Sequence, residues 1–200
     1  IAINNQPDGR NINLNCGAVN VKELSQKVLI TKADVGFAFD GDGDRLIVVD
    51  DKGNEIDGDK ILALFTKNLL NKKKLTKKTV VATSMSNLGF ENYLTKKLGV
   101  KLVRTNVGDI NVINEMNKKS YSLGGEQSGH IILGEYTKTG YGILVALKIL
   151  EILKDSNLTT HTLFNNYNSF YQEKTNILIK EQLNNKPKNL IKNISNKIQR

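Results

Sequence analysis

Three aspartates separated by single glycines make up most of the segment D-G-D-G-D-R at residues 40–45. The carboxylates of Asp40, Asp42 and Asp44 would repel one another at this spacing unless they shared a cation. The intervening glycines allow the tight turn that brings their oxygens together. Because ligation by carboxylate oxygens alone favours Mg²⁺ or Ca²⁺ over zinc, the segment predicts a divalent-cation site. Arg45 beside it adds a partner for a phosphoryl group.

This segment has two other interpretations. An EF-hand loop also begins D-x-D-x-D, but here the sixth position is Arg45 instead of Gly and the twelfth is Asp51 instead of Glu. Apolar strand-like runs also flank the segment where an EF-hand has helices, so the EF-hand interpretation fails. An exposed acidic turn without a ligand is the remaining alternative.

A second candidate site is the glycine-supported segment G-G-E-Q-S-G-H at residues 124–130. Glu126, Ser128 and His130 offer donors and acceptors suited to sugar hydroxyls. A serine nucleophile in a G-x-S-x-G turn is a weaker interpretation, because that turn needs a following helix and a strand is expected after Gly129. His130 taken alone fits a structural role as well as a functional one.

The elements that must position these segments alternate between strand and helix. Strands are predicted at 35–39, 46–49, 55–56, 80–83, 101–104, 120–124, 131–133 and 175–179, and helices at 20–30, from 59, at 87–98, 108–118, 142–154 and from 187. Residues 155–157 are a candidate linker, and His161, in a polar stretch, has no predicted role. This order predicts an α/β fold of mixed, mostly parallel sheets covered by helices.

Composition excludes several classes of protein. Of the 200 residues, 39% are hydrophobic and 24% charged, which is typical of a globular chain. No apolar run approaches the roughly 20 residues that cross a bilayer, so no membrane partner is expected. The single cysteine, Cys16, excludes an internal disulfide and indicates a reducing, cytoplasmic compartment. Since residue 1 is Ile, with no start methionine, the chain is expected to be a piece of a longer protein.

The net charge of +9 raises nucleic-acid binding as an alternative of another class. Residues 1–60 carry a net charge of −4 and the remaining residues +13, almost all from lysine. Specific readers of bases depend on arginine, of which there are four. The basic stretches also lack interleaved aromatic residues, so no nucleic-acid partner is expected.

Taken together, the two motifs resemble the α-D-phosphohexomutase superfamily. D-G-D-G-D-R and G-G-E-Q-S-G-H stand in the superfamily's order, about 80 residues apart. Three further stretches support the resemblance: P-D-G-R-N-I-N-L-N-C-G-A at 7–18, S-M-S-N-L-G at 84–89 and R-T-N-V-G-D at 104–109. With glutamine at position 127, the second motif resembles that of the bacterial phosphoglucosamine mutase branch. The phosphomannomutase and phosphoglucomutase branch more often has methionine at this position.

The resemblance implies an enzyme of four repeated domains, of which this chain holds a part. Residues 1–57 would end the second domain, 58–156 would form the third and 157–200 would begin a truncated fourth. The superfamily's serine loop should precede residue 1, and its late phosphate-binding loop should follow residue 200. The fragment alone is therefore expected to be inactive, and its oligomeric state is open.

The resemblance also implies roles for the site residues. The three aspartates would bind Mg²⁺, which also ligates a phosphoserine, and Arg45 would steady that phosphoserine. Glu126 and Ser128 would hold the hydroxyls of a phosphorylated amino sugar, with His130 close to the reacting end. The reaction implied converts glucosamine 6-phosphate into glucosamine 1-phosphate through a bisphosphate, for cell-wall precursors. Phosphomannomutase or phosphoglucomutase activity is the alternative.

The chain departs from the superfamily's pattern at three positions. After V-G-D the superfamily usually has arginine and an aromatic residue, where this chain has Ile110 and Asn111. Where T-G-D-G is usual, Tyr141 replaces the aspartate. The metal and sugar segments are intact, so these positions bear on the efficiency of the reaction and on contacts to substrate or between domains.

Overall fold

Alternating strand-forming and helix-forming segments produce two sheets in the computed structural model, which describes residues 1–173. The strands are β1 (Val35–Phe39), β2 (Leu46–Asp50), β3 (Glu55–Ile56), β4 (Thr79–Thr83), β5 (Lys101–Thr105), β6 (Leu123–Gly125) and β7 (Ile131–Leu133). The α-helices are α1 (Lys22–Thr31), α2 (Gly58–Asn71), α3 (Leu88–Asn92), α4 (Asp109–Lys119), α5 (Gly142–Ser156) and α6 (Thr160–Phe164). Short 3₁₀ turns lie at Gly17–Val19 and Thr76–Lys78, and the π-helical turn Tyr93–Lys97 continues α3.

Residues 1–170 form one compact unit, and a second unit starts at Tyr171. Of the second unit, only residues 171–173 are described, and they have no regular secondary structure.

The first sheet is antiparallel, in the order β1-β2-β3. Every residue of β2 is buried because both faces of the sheet are covered. On one face Ile47 and Val49 pack against Val28 of α1. On the other face Leu46 and Val48 belong to the main hydrophobic core, to which α2 and α5 contribute. The loop that joins β1 to β2 is the 40–45 segment.

The second sheet has the order β5-β4-β6-β7, with β4 parallel to β5 and to β6. β7 closes one edge antiparallel to β6. Residues of α2, α3 and α5 join the main core on one face of this sheet, while α4 packs its Val112 and Met116 against Val81 and Ile132 on the other. The carboxyl ends of β4, β5 and β6 consequently lie at one edge.

These observations confirm the predicted fold class, with three differences in the elements. The strand predicted from residue 120 begins only at Leu123, because Ser120 has a left-handed backbone (φ +56°) that ends α4. The helix predicted to stop at 154 continues through Ser156, so the proposed linker was wrong at Asp155 and Ser156. The strand at 175–179 and the helix from 187 lie outside the described residues.

The third difference is α6, which sequence reasoning missed. Thr160 Oγ1 donates to the main-chain oxygen of Asp34 at 2.6 Å, and the side chain of Phe164 is buried in the main core. His161 Nδ1 lies 2.8 Å from Asp50 Oδ2. The expectation that His161 has no role was therefore wrong, since it ties α6 to β2. The division into three domains stays a prediction.

Candidate functional site

Three motif segments follow the carboxyl ends of parallel strands β4, β5 and β6. They are residues 84–89, 106–109 and 126–130. Parallel strands bring their carboxyl ends to a common edge, where ligands of open α/β sheets bind. The topology of the sheet thus gathers segments that are far apart in sequence.

The 40–45 loop brings its three aspartates together. One carboxylate oxygen each from Asp40, Asp42 and Asp44 lies within 4.8 Å of the other two. Asp40 also shapes the loop, since its main-chain oxygen accepts from Gly43 N at 3.2 Å and its Oδ1 accepts from Arg45 N at 3.1 Å. The left-handed backbone of Gly43 (φ +72°) permits this turn. The predicted convergence of these carboxylates is present.

The donor set fits a hard divalent cation. Among residues 1–173, Asp44 Oδ1 is a buried atom with no hydrogen-bond partner, which is costly for a carboxylate oxygen unless a ligand occupies it. All the converging atoms are carboxylate oxygens, the ligands that Mg²⁺ and Ca²⁺ prefer. The three aspartates could therefore hold a metal ion.

Arg45 lies beside the carboxylates, and its terminal group is partly free. Its Nε is 3.6 Å from Asp40 Oδ2 and 3.9 Å from Asp44 Oδ1, and 42% of its side chain is exposed. Both contacts are ion pairs, and Nε donates no hydrogen bond within the described part of the chain. The guanidinium can therefore donate to an anion placed next to the cation site.

The 124–130 segment forms a tight loop in which Glu126 and Ser128 differ in exposure. Glu126 is buried, and its Oε1 accepts from Gly108 N, ahead of α4, at 3.0 Å. Ser128 is exposed at the tip. Gly129 has φ +96°, and a Cβ there would lie 2.4 Å from the main-chain oxygen of Leu46, so this position requires glycine. Glu126 is thus held in a fixed orientation at the sheet edge.

The 40–45 and 124–130 loops are joined directly. Leu46 N donates to the main-chain oxygen of Gly129 at 3.0 Å, and Arg45 pairs with His130 in an isolated antiparallel bridge. His130 Nδ1 also lies 3.0 Å from Asp44 Oδ2. The two motifs, far apart in sequence, are therefore in direct contact.

His130 is buried at the junction of the two loops. Its side chain is 2% exposed, and its second ring nitrogen, Nε2, accepts from Gly140 N at 3.1 Å. Both nitrogens of the ring are thus engaged by the protein. His130 thus contacts a candidate metal ligand, and its expected place close to the sugar stays a prediction.

Two further carboxylates, missed from sequence, support the site from the start of α2. Asp57 caps the helix, accepting from Lys60 N at 3.0 Å, and its Oδ2 accepts from Gln127 Nε2 at 3.3 Å. Burial is the main cause that raises the pKa of Asp57. Burial likewise raises the pKa of Asp59 to about 6, with the nearby charge of Asp57 adding to it. The capping position of Asp57 was the one available sequence signal.

The residues that depart from the usual pattern lie around this site. Ile110 and Tyr141 are exposed, and Tyr141 precedes α5 without a side-chain capping bond. Asn111 Nδ2 donates to the main-chain oxygen of Val107 at 2.9 Å. A cleft of about 790 Å³ also borders the 40–45 loop at Asp40, with its other walls in residues 3–24 and β1. Glu126 and Ser128 do not line that cleft.

No helix within residues 1–173 combines the length and the apolar character that a bilayer crossing requires.

Comparisons with known proteins bear on this geometry. Residues 57–170 match the family described as phosphoglucomutase/phosphomannomutase, alpha/beta/alpha domain III. The chain is 48% identical over 198 residues to the phosphoglucosamine mutase of Thermodesulfovibrio yellowstonii. This match covers 99% of this chain and 43% of that relative. The chain therefore spans less than half the length of that relative.

Two solved structures share the fold. One, a phosphoglucomutase/phosphomannomutase family protein from Burkholderia thailandensis, matches 76% of this chain and 32% of its own with a TM-score of 0.68 and 26% identity. The other is the N-acetylphosphoglucosamine mutase of Aspergillus fumigatus, solved with GlcNAc-6P and magnesium. It matches 78% of this chain and 40% of its own with a TM-score of 0.61. At 22% identity this second likeness shows the fold alone.

Proposed function

The chain belongs to the phosphoglucomutase/phosphomannomutase family, and from that premise we propose that it forms the metal-binding and sugar-binding part of a phosphoglucosamine mutase. The reaction is the interconversion of glucosamine 6-phosphate and glucosamine 1-phosphate. It proceeds through a phosphoserine enzyme and a bisphosphate intermediate and supplies UDP-N-acetylglucosamine and cell-wall precursors. The serine and the distal phosphate-binding loop are assigned to regions outside these 200 residues.

The observation that carries this proposal is the direct junction of the 40–45 and 124–130 loops. A phosphoryl transfer to a sugar needs an electrophilic centre and a sugar-binding group side by side. The hydrogen bond between Leu46 N and the main-chain oxygen of Gly129 holds the two loops together. No rearrangement within residues 1–173 is needed to make them adjacent.

We assign Asp40, Asp42 and Asp44 as ligands of Mg²⁺. The structural support is Asp44 Oδ1, which has no hydrogen-bond partner among the described residues. When bound, the ion neutralises charge on the phosphoryl group that is transferred. Arg45 contributes a second positive charge. Because its side chain is partly exposed, its guanidinium can contact the phosphoserine. The Aspergillus fumigatus structure, solved with magnesium, is consistent with a metal in this fold.

Glu126 and Ser128 are assigned to the hydroxyls of the sugar. The Gly108 N–H holds Glu126 by one carboxylate oxygen, which leaves the other able to accept from a hydroxyl. Ser128 presents a hydroxyl at the exposed tip of the same loop. Two orientations of a sugar phosphate can both use such acceptors and donors, which a mutase requires because either phosphate must reach the serine.

The glucosamine substrate rests on the relatives at 48% identity, named phosphoglucosamine mutases. Phosphorylated amino sugars are small charged metabolites, and the single cysteine indicates a reducing compartment, so the cytoplasm is the proposed location.

The test is a turnover assay on the longer protein that contains this chain. With Mg²⁺, we expect faster conversion of glucosamine 6-phosphate than of mannose or glucose 6-phosphate. Asp42→Ala should abolish conversion of all three, while Asp155→Ala, an exposed aspartate on α5, should leave it unchanged. Preference for mannose or glucose phosphate would move the assignment to the phosphomannomutase or phosphoglucomutase branch, and full activity of Asp42→Ala would refute the metal site.

A further inference from the structure

We propose that Gln127 is a positioning residue, which fastens the 124–130 loop to the start of α2. The attachment fixes where Glu126 and Ser128, its two neighbours in the chain, meet the sugar. This inference rests on the proposed function, because those two neighbours are the groups assigned to the sugar hydroxyls. It goes beyond that function by giving Gln127 and Asp57 a shared part in the reaction, although neither is assigned a contact with the substrate.

The main chain of the loop packs directly against the first residue of α2. Gly58 N donates to the main-chain oxygen of Gln127 at 2.9 Å. A Cβ on Gly58 would overlap the main-chain oxygen of Glu126 and lie 2.9 Å from Gly129 N. The loop and the helix start are therefore in contact through their backbones, at a position where a side chain on residue 58 has no room.

The side chain of Gln127 adds a second bond to the same helix start. Its Nε2 donates to Asp57 Oδ2 at 3.3 Å. The other oxygen of Asp57, Oδ1, accepts from Lys60 N at 3.0 Å and caps α2. Because capping holds the carboxylate in place, the amide of Gln127 is bound to a fixed point of the fold.

The burial of Asp57 gives this bond its importance. Burial is the main cause that raises the pKa of Asp57, and the bonds from Lys60 N and from the Gln127 side chain oppose that rise. A buried carboxylate that loses a donor carries a cost in free energy, so the loop or the carboxylate must move when the amide is removed. The neutral amide of Gln127 supplies this donor without adding a charge beside Asp59, which lies close to Asp57.

Gln127 and Glu126 hold the loop from opposite faces of the second sheet. Glu126 Oε1 accepts from Gly108 N, ahead of α4, while Gln127 binds the start of α2. α2 packs on one face of that sheet and α4 on the other. A loop held on both sides keeps the second oxygen of Glu126 in one place, and a displacement of about 1 Å in an active site can slow turnover roughly 100-fold.

The test is an exchange of donor and acceptor in the longer protein that contains this chain. Gln127→Glu places two carboxylates against each other, so we expect kcat/KM for the preferred hexose phosphate to fall roughly tenfold. Adding Asp57→Asn restores one donor and one acceptor with their roles reversed, because the amide at position 57 can still cap α2 through its oxygen. The double variant should recover kcat/KM to within about threefold of the unmodified protein.

Two other roles for Gln127 predict different results. If Gln127 contacted the sugar directly, kcat/KM would stay low in the double variant, and this result would overturn the proposal. If the bond to Asp57 served stability alone, Gln127→Glu would lower the free energy of unfolding in urea but leave kcat/KM of the folded protein unchanged. That result would overturn the proposal as well.

A second pair of variants decides the matter if Gln127→Glu fails to fold. Gln127→Met keeps the length of the side chain without its donor, and Asp57→Ser keeps the cap of α2 without reaching the amide. Because both remove the same bond, their losses in kcat/KM should not add when the two are combined, and additive losses would contradict the shared role. Gln26→Met makes the matched substitution at an exposed position of α1 and should leave kcat/KM unchanged.

The same assays separate this inference from the proposed function. If the unmodified protein converts a hexose phosphate and the Gln127 variants equal it, the positioning role alone is wrong. If the unmodified protein converts none of the 6-phosphates of glucosamine, mannose and glucose, the proposed function is wrong and this inference fails with it. The Mg²⁺ concentration that gives the half-maximal rate should be the same in every active variant, because the bond lies outside the 40–45 loop.

Discussion

Asp59, a fully buried carboxylate at the start of α2, accepts a hydrogen bond from the backbone N–H of Asn87 at 2.7 Å. Its second oxygen accepts from Ser86 Oγ at 2.8 Å. The Asp59 carboxylate therefore holds the loop that follows β4, while neighbouring Asp57 accepts a hydrogen bond from Gln127 of the 124–130 loop. One helix start thus supports two of the loops at the sheet edge.

The variant Asp59→Asn tests the effect of this buried carboxyl group on the pH dependence of stability. The folded-state pKa, about 6, lies above the ordinary value of 3.8, so the folded protein holds the proton more tightly than the unfolded chain. Stability from this group is therefore present at low pH and falls as pH rises through about 4 to 6. This loss of unfolding free energy amounts to about 1.4 kcal/mol for each unit of pKa difference between the folded and unfolded states. In Asp59→Asn the contribution of this group should be absent. Urea unfolding at a series of pH values measures it.

The matched control for this prediction is Asp155→Asn. Asp155 is exposed on α5, so its substitution should leave the pH dependence of the unfolding free energy unchanged. An Asp59→Asn protein with the same pH dependence as the unmodified chain would show that Asp59 is not the titrating group.

Gly140→Ala tests the packing around His130. The added Cβ would meet His130 Nε2 at 2.7 Å and the main-chain oxygen of Asp44 at the same distance. Because neither a buried ring nor a backbone oxygen can move freely, we expect a loss of roughly 1–3 kcal/mol in unfolding free energy. Gly134→Ala, whose Cβ contacts begin at 3.2 Å, should cost less. Equal losses in the two variants would contradict the packing described here.

His161→Ala tests the attachment of α6. Burial alone would raise the pKa of Asp50, but hydrogen bonds from Asn54, His161 and Lys52 outweigh it and lower that pKa. Removing the imidazole should cost roughly 1–2 kcal/mol of unfolding free energy at neutral pH.

The pH dependence of the same variant gives a second readout. A carboxyl group whose pKa is lowered in the folded state stabilises the fold at pH values above its ordinary pKa of 3.8. This stabilisation is lost as the pH falls below that value. The difference between His161→Ala and the unmodified protein should therefore shrink when unfolding is measured at acid pH. A difference that stays constant, or no loss at neutral pH, would show that the contact with Asp50 contributes nothing.

The sequence predicted the candidate site where its signal is local. The spacing of Asp40, Asp42 and Asp44 needs only a tight turn to bring their oxygens together, and the glycines supply it. The order of strands and helices likewise predicted a mostly parallel sheet, and the parallel strands β4, β5 and β6 of that sheet bring the segments that follow them to one edge.

The rest depended on contacts between distant residues. Nothing in the segment around His130 indicates that its ring bonds Asp44 on one side and Gly140 on the other. α6 was missed because its five residues carry little periodicity, and tertiary contacts of Thr160 and His161 hold it. Asp59 resembled an ordinary first-turn acid, and only its burial distinguishes it.

The most direct measurement of the central claim is a calorimetric titration of this 200-residue chain with Mg²⁺. If Asp40, Asp42 and Asp44 form one cation site beside the 124–130 loop, the unmodified chain and Asp155→Ala should each bind one ion, and Asp42→Ala should bind none. Equal Mg²⁺ binding by Asp42→Ala and the unmodified chain, or no binding by any of the three, would contradict it.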